Sequence, residues 1–130
     1  MAEELFRAAR MAMKRAYAPY SQFPVGAALR TDAGAVHAGC NIENASYPEG
    51  WCAETTALGQ MIMAGGGKVS EIALVAEKMP GIMPCGGCRQ RLSEFVTADA
   101  KLHLCDMNGI LETVPFSSVF PRAFGSESNT

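Results

Sequence analysis

Two cysteine-bearing segments of this chain each stand directly before a run of helix-forming residues. The segment CAE at 52–54 opens the run CAETTALGQMIMA, and the segment PCGGC at 84–88 opens CGGCRQRLSEFV. Proline is favoured at helix starts, and three glycines at 65–67 end the first run. If the cysteines act as one set, the fold has to bring two helix N-termini together.

The remaining segments alternate between helix-like and strand-like patterns. Helical spacing of apolar residues predicts a first helix over 3–17 that ends near Tyr17, before two prolines. The runs PVGAALRT and AVHAGCNIE flank a turn at 32–34 and predict a β-hairpin, with EIALVAE as a buried strand further on. KLHLCDM and ILETV flank the turn Met107-Asn108-Gly109 and predict a second strand pair before the short helix of PFSSVFPRAF.

This order of elements predicts an α/β fold in three layers, a mixed five-stranded sheet with helices on both faces. The chain has 130 residues and 48% hydrophobic content, which suits a single domain over 1–130 with its own core. Only the tail at 126–130, which ends the chain as SESNT, is predicted to be disordered.

Charge and hydropathy exclude several classes of function. Eleven Lys and Arg against thirteen Asp and Glu give a net charge of −2, so no overall basic field attracts nucleic acid or anionic lipid. The apolar windows are too short to span a membrane, and the first residues predict an amphipathic helix rather than a signal peptide. We therefore expect a cytoplasmic protein that binds neither membranes nor nucleic acid.

The cysteines indicate metal or redox chemistry. CxxC at 85–88 is typical of a metal site, a redox motif or half of a zinc ribbon, but a ribbon needs a second CxxC that this sequence lacks. Cys52 adds a third thiolate from another helix start. Three protein ligands leave the fourth position of a tetrahedral zinc site to water, and zinc lowers the pKa of that water to about 7.

Glu54 stands two residues after Cys52 and is the candidate proton carrier of this site. The structural alternative is that Glu54 only caps or occupies the first turn of a helix, where the helix dipole favours acidic residues. Non-ligand Glu residues together with Cys₃ ligands and a PCxxC signature are typical of zinc deaminases. A separate alternative is a non-enzymatic zinc module in which Cys40, His103 or Cys105 completes a four-ligand site.

With these motifs in view, the chain resembles the small homotetrameric, zinc-dependent cytidine deaminases from about Ala16 to Gly125. Besides CAE and PCGGCRQ, the segments AYAPYSQFPVGAAL, GCNIENASYPEG and FPRAFG resemble that family. The resemblance implies hydrolytic deamination of cytidine or deoxycytidine, one Zn²⁺ per subunit, and a homotetramer.

The resemblance also implies roles for individual residues. Glu54 and the backbone of Ala53 would read the base, on which Phe23 would pack. Asn41 and Glu43 would hold the ribose 3′-hydroxyl, although an amide and a carboxylate there also suit a capped strand end. The residues that would reach into a neighbouring subunit's site are Ser46, Tyr47 and Phe124, the last of which also fits an aromatic core stripe with Phe116 and Phe120.

At one position the sequence departs from this family, which commonly carries Arg directly after CAE. Here that residue is Thr55. We hypothesise that Arg89 compensates the thiolate charge instead; its alternative is a solvent-facing or loop-capping arginine. Blasticidin-type deaminases also lack that Arg, so a modified or antibiotic nucleoside is the second candidate substrate. Editing of RNA or DNA is a third reading, but it needs a basic groove and stacking aromatics.

Overall fold

The structure is a computed structural model that describes residues 1–125, so the tail predicted to be disordered at 126–130 lies outside the described residues. Four helices and five strands follow the predicted order. Their bounds are α1 Ala2–Met13, β1 Val25–Thr31, β2 Val36–Cys40, α2 Ala53–Met63, β3 Val69–Ala76, α3 Gly86–Ser93, β4 Val96–Asp106, β5 Gly109–Pro115 and α4 Phe116–Val119, with a 3₁₀ turn at Tyr47–Glu49 before α2. In this part of the chain no helix is long and apolar enough to cross a bilayer.

The five strands form one mixed sheet in the order β2-β1-β3-β4-β5, which confirms the predicted fold class. β3 and β4 pair in parallel, and the other neighbours pair antiparallel. The parallel pair needs a crossover, which α3 supplies. Helix α1 packs on one face of the sheet with Ala28, Ala73 and Val75, while α2, α3 and α4 cover Leu29, Ile72 and Leu102 on the other.

Strand directions explain why α2 and α3 begin at the same edge of the sheet. β2 and β3 both pair antiparallel with β1, so they run in the same direction and both end beside the start of β1: Cys40 at the end of β2 pairs with Gly26, and Ala76 at the end of β3 pairs with Val25. The chain therefore leaves both strands at one edge. The two helices that follow open there, with Cys52 and Cys85 as their N-cap residues.

The two largest differences between predicted and observed boundaries lie at the end of α1 and at the start of β4. Helix α1 ends at Met13 rather than near Tyr17, because the Tyr17 amide donates to the Asn41 carbonyl at 3.0 Å and its carbonyl accepts from the Glu43 amide at 2.8 Å. Strand β4 begins at Val96, five residues before the predicted KLHLCDM, because Val96 pairs with Val69 of β3 ahead of a register shift. In both places a long-range backbone pairing overrides the local pattern.

Close approach of α2 to β2 depends on Gly39. A Cβ added there would lie 2.4 Å from the Ala57 amide nitrogen and 2.8 Å from the Ala53 carbonyl oxygen. We therefore expect Gly39→Ala to lower the free energy of unfolding by about 1–3 kcal/mol, since α2 has to move away. Urea denaturation measures this. The matched control is Gly59→Ala on the exposed side of α2, where a Cβ meets nothing within 4 Å; it should stabilise the helix by about 0.5–1 kcal/mol.

Candidate active site

Three cysteine sulfurs converge where α2 and α3 begin. The Sγ atoms of Cys52, Cys85 and Cys88 all lie within 4.8 Å of one another, and those of Cys52 and Cys85 are 3.6 Å apart. Cys52 and Cys85 are the N-caps of the two helices, and Cys88 lies in the first turn of α3. The partial positive charge of a helix N-terminus favours thiolates at these positions.

The chemistry of this donor set fits zinc. Thiolates are ligands that zinc prefers, and three of them leave one tetrahedral position open. The pKa of the Cys88 thiol is raised, first by its hydrogen bond with Cys52, then by burial and by the charges of Glu54 and Cys52. Three sulfurs this close do not all ionise without a cation among them. A divalent metal ion held by Cys52, Cys85 and Cys88 would supply that cation.

Glu54 lies beside the cysteines and is almost completely buried, with 3% of its surface exposed. Burial raises its pKa above the ordinary value, while hydrogen bonds from its own amide and from Cys88 and the charge of Arg91 act in the opposite direction. A carboxyl group with a raised pKa can both accept and donate a proton near neutral pH. This position excludes the alternative in which Glu54 is a solvent-facing residue of the first turn.

Two adjoining cavities open beside the cysteines. The smaller, of about 150 Å³, is lined by Glu54, Ala53, Asn41 and the two N-cap cysteines together with apolar side chains of β1, β3 and the loop before α3. The wider, of about 330 Å³, is lined by Glu43, Tyr47 and Tyr20. Trp51 and Cys52 line both cavities. Because they share these two residues, the two cavities are together termed the recess: the cavity next to Glu54 is its inner part and the cavity lined by Glu43 is its outer part.

Asn41 and Glu43 hold the loop that borders this recess. The Asn41 Nδ2 group donates to the Phe23 carbonyl at 2.9 Å, and its Oδ1 accepts from the Val25 amide at 2.9 Å. Glu43 accepts from the amides of Tyr20 and Ser21, at 2.9 Å and 3.0 Å, and from the Ser21 hydroxyl. The Ser21 hydroxyl and amide lower the pKa of Glu43, so its carboxylate is charged at neutral pH.

The other predicted contact residues lie further from Glu54. Phe23 is half-buried, and it lines neither part of the recess. Tyr47 borders the outer part and stacks edge-on against Tyr20, with ring centroids 5.8 Å apart, while Ser46 lies exposed beside it. Within one chain, the inner part of the recess therefore gathers only Ala53, Asn41 and Glu54 of the predicted substrate-facing residues.

Phe124 is not a core residue, and the aromatic stripe predicted from its spacing does not reach it. Phe116 is buried, and Phe120 packs against it edge-on with ring centroids 6.5 Å apart. Helix α4 ends at Val119, and Arg122 has a positive φ of 57°, so the chain turns before Phe124. The Phe124 side chain is 75% exposed, and its carbonyl accepts a hydrogen bond from Gln90.

Arg89 does not contact a thiolate, which corrects the hypothesis drawn from its place next to Cys88. Its Nε donates to the Pro84 carbonyl at 2.9 Å and its Nη1 to the Val119 carbonyl at 3.1 Å, so it ties the start of α3 to α4. Arg91 reaches the sulfur instead, with its Nη1 3.9 Å from Cys88 Sγ. The Thr55 hydroxyl lies 3.9 Å from the same sulfur.

The residues named for a four-ligand structural site lie elsewhere. Among the described residues the only group of three or more potential metal ligands is Cys52, Cys85 and Cys88. His103 and Cys105 belong to the α1 side of the sheet, where the His103 ring nitrogens lie 2.8 Å from Glu71 and 2.8 Å from Thr113. Cys40 borders a separate groove between α1 and α2. The described residues therefore provide three ligands, as an open zinc site requires.

Sequence reasoning missed Trp51 and Arg91. Trp51 lines both parts of the recess, and its indole donates to the Thr56 hydroxyl at 3.0 Å, which itself donates to the Cys40 carbonyl at 2.7 Å. The position of Trp51 directly before Cys52 could have indicated that its side chain lies at the site. For Arg91 the signal was helical spacing, since residues three apart share a helix face whereas adjacent residues do not.

A zinc-dependent hydrolase is the class of protein that this fold and this site define. A family model described as the cytidine and deoxycytidylate deaminase zinc-binding region matches residues 1–104. The chain belongs to this family. It is 38% identical to a cytidine deaminase of Sporosarcina psychrophila over 96% of this chain and 92% of that one, and 43% identical to one of Halalkalibacterium halodurans over 95% and 93%.

Solved structures agree with this assignment. The crystal structure of cytidine deaminase from Burkholderia pseudomallei superposes with a TM-score of 0.86 at 43% identity, covering 93% of this chain and 97% of that one. That from Mycobacterium tuberculosis superposes with a TM-score of 0.84 at 36% identity, covering 94% and 95%. In both superpositions the coverage is nearly complete for this chain and for the solved one.

Proposed function

We propose that this protein deaminates free cytidine and deoxycytidine to uridine and deoxyuridine, releasing ammonia, as a step in pyrimidine salvage. The observation that carries the proposal is the buried Glu54 carboxyl beside three convergent cysteine sulfurs, at a recess that Glu54, Cys52 and Cys85 line. A zinc ion bound by the three cysteines makes hydroxide available at neutral pH.

Glu54 performs the proton transfers of this reaction. It delivers a proton to ring N3 as water adds at C4, and then carries the proton of the new hydroxyl group to the amino group that leaves as ammonia. Its burial keeps bulk water from exchanging these protons and strengthens each hydrogen bond to the reacting ring. These interactions are strongest in the transition state, which is the condition for catalysis.

The two parts of the recess suit the two parts of a nucleoside. The narrow part next to Glu54 and Ala53 takes the flat pyrimidine, and Phe23, whose carbonyl accepts from Asn41, packs on the base. The outer part takes the ribose, whose 3′-hydroxyl binds the charged Glu43 of that part and Asn41 of the inner part. A site built to hydrogen-bond a hydroxyl rejects ligands that lack it, so free cytosine is a poor substrate.

A substrate panel tests this function. Purified protein is mixed with cytidine, deoxycytidine, free cytosine, adenosine and blasticidin S, and the ultraviolet absorbance of each is followed. We expect the first two to be deaminated with the highest kcat/KM. Preference for blasticidin S would replace the proposal with the antibiotic-nucleoside alternative. Single-stranded RNA and DNA serve as further controls and should remain unchanged, since the net charge is −2.

The active form that we propose is a homotetramer with shared active sites. Phe124 supports this, because its side chain is 75% exposed in one chain. Most of Tyr47 is exposed as well, and so is Ser46 next to it in the sequence. An aromatic ring of this size contributes most when a partner covers it. We further propose a cytoplasmic location, since all five cysteines are free thiols and three of them have to stay reduced to bind metal.

Phe124→Ala tests the shared site. We expect it to raise KM for cytidine several-fold in preparations that light scattering shows to be tetrameric, because stacking of an aromatic ring is worth about 0.5–1.5 kcal/mol. Phe124→Tyr keeps the ring and is the matched control, with KM close to the unmodified protein. An active monomer, or a tetrameric Phe124→Ala variant with unchanged KM, contradicts the proposal.

A further inference from the structure

Cys88 is the sulfur ligand at which negative charge is hardest to accommodate. It is completely buried, whereas Cys85 is exposed and Cys52 is intermediate. Zinc bound by three thiolates leaves one net negative charge on the cluster, and Glu54 adds a second whenever it ionises. Water can solvate part of that charge at Cys85. At Cys88 only protein groups can do so, and an uncompensated buried charge is costly.

Two polar groups reach the Cys88 sulfur from outside the ligand set. Arg91 Nη1 lies 3.9 Å from Cys88 Sγ, and Thr55 Oγ1 lies 3.9 Å from it on the α2 side. Arg91 follows Cys88 by three residues on α3, so the two side chains share one helix face. The threonine offers a neutral donor, while the guanidinium offers a full positive charge.

Gly87 leaves room for this arrangement. A Cβ added at Gly87 would lie 3.2 Å from Arg91 Nη1 and 3.8 Å from the carbon of the guanidinium group. The guanidinium therefore folds back over the first turn of α3, towards the sulfur, across a position with no side chain. Arg89, two residues earlier, directs its guanidinium to the Pro84 and Val119 carbonyls instead.

We propose that Arg91 compensates the charge of the Cys88 thiolate, with Thr55 as a neutral second donor. It is a positioning residue, because it acts on the metal through Cys88 and lines neither part of the recess. By drawing electron density from one sulfur, it leaves the metal a stronger Lewis acid. The family commonly carries an arginine at position 55, on α2. In this chain Arg91 on α3 takes over its role, and Arg91 lies outside the ligand motifs.

The test uses the cobalt(II)-substituted protein, whose thiolate-to-cobalt charge-transfer band reports on the sulfur electrons without requiring turnover. A donor to the sulfur lowers the energy of those electrons, so Arg91→Ala should shift the band to longer wavelength. Gly87→Ala, which occupies the space beneath the guanidinium, should shift it in the same direction. Arg89→Ala is the matched control, since it removes an equal charge from the same helix and should leave the band in place.

Steady-state kinetics with the zinc enzyme form the second arm and rest on the proposed function. Loss of one charge-assisted hydrogen bond should lower kcat by on the order of tenfold and leave KM unchanged. Arg91→Lys should retain part of the turnover, and adding Thr55→Arg to Arg91→Ala should restore part of both turnover and band position. Turnover and band position are measured for the unmodified protein, Arg91→Ala, Thr55→Arg and the double variant, which together form a double-mutant cycle.

The two arms separate failure of this inference from failure of the proposed function. If the Arg91→Ala band coincides with that of the unmodified protein, or Arg89→Ala shifts it equally, Arg91 does not act on Cys88 and the inference is overturned. If neither cytidine nor deoxycytidine is a substrate but the band shifts as expected, the inference holds and the proposed function fails. A drop in kcat without a band shift also overturns the inference, because such a result means that Arg91 affects turnover by a route other than the Cys88 sulfur.

Discussion

Glu54→Gln is expected to lower turnover of cytidine by at least the roughly 10²–10⁴-fold that a lost general acid–base costs, while the variant keeps its zinc and its fold. Glutamine has the same shape, but its amide cannot carry a proton between the attacking water, ring N3 and the leaving amino group. Glu54 is 3% exposed, so no solvent-borne base easily takes its place. Stopped assays at high enzyme concentration measure the residual rate.

The same variant should unfold at an equal or higher denaturant concentration than the unmodified protein. Burial disfavours the charged form of Glu54, and replacing a desolvated carboxyl with a neutral amide removes that cost. Glu43→Gln is the matched control, since it makes the same change in a carboxylate that borders the outer part of the recess. Its main effect should be on KM. Near-normal turnover by Glu54→Gln would assign proton transfer to another group.

Cys85→Ala is expected to abolish both stoichiometric zinc binding and activity. Two thiolates at separate helix starts remain, and they lack the third protein ligand that an open zinc site requires. Metal analysis after gel filtration measures zinc per chain. Because Cys85 is exposed, its replacement leaves no core cavity, so loss of zinc does not follow from unfolding of the domain.

Thermal unfolding gives a second readout of the same variant. A ligand that binds only the folded state raises Tm, and zinc here joins the N-termini of α2 and α3. The Tm of Cys85→Ala should therefore match that of chelator-treated unmodified protein and should no longer rise with added zinc. Cys40→Ala removes a cysteine outside the cluster and should keep one zinc per chain. A Cys85→Ala protein that still holds one tight zinc would mean that the ligand set is wrong.

The candidate ligands and the candidate proton carrier could be identified from the sequence because each depends on local chemistry. CxxC spacing and a preceding proline place two thiolates at one helix start, and Glu54 follows Cys52 within the same turn. Residues this close in the sequence have only a few possible relative positions, so their proximity can be predicted. The order of strands and helices was predictable for a similar reason, since alternating patterns reflect which face of each element is buried.

Contacts between elements distant in the sequence were decided only by the tertiary structure. Tyr17 leaves the predicted helix because residues 41–43 offer its backbone two hydrogen bonds, and Arg89 turns to the Val119 carbonyl thirty residues away. Local spacing carries no information about such partners, because they depend on how β2, α3 and α4 are placed around the sheet. The contact of Arg91 with Cys88 differs from these, because residues one turn apart on α3 share a helix face and helical spacing alone could have indicated it.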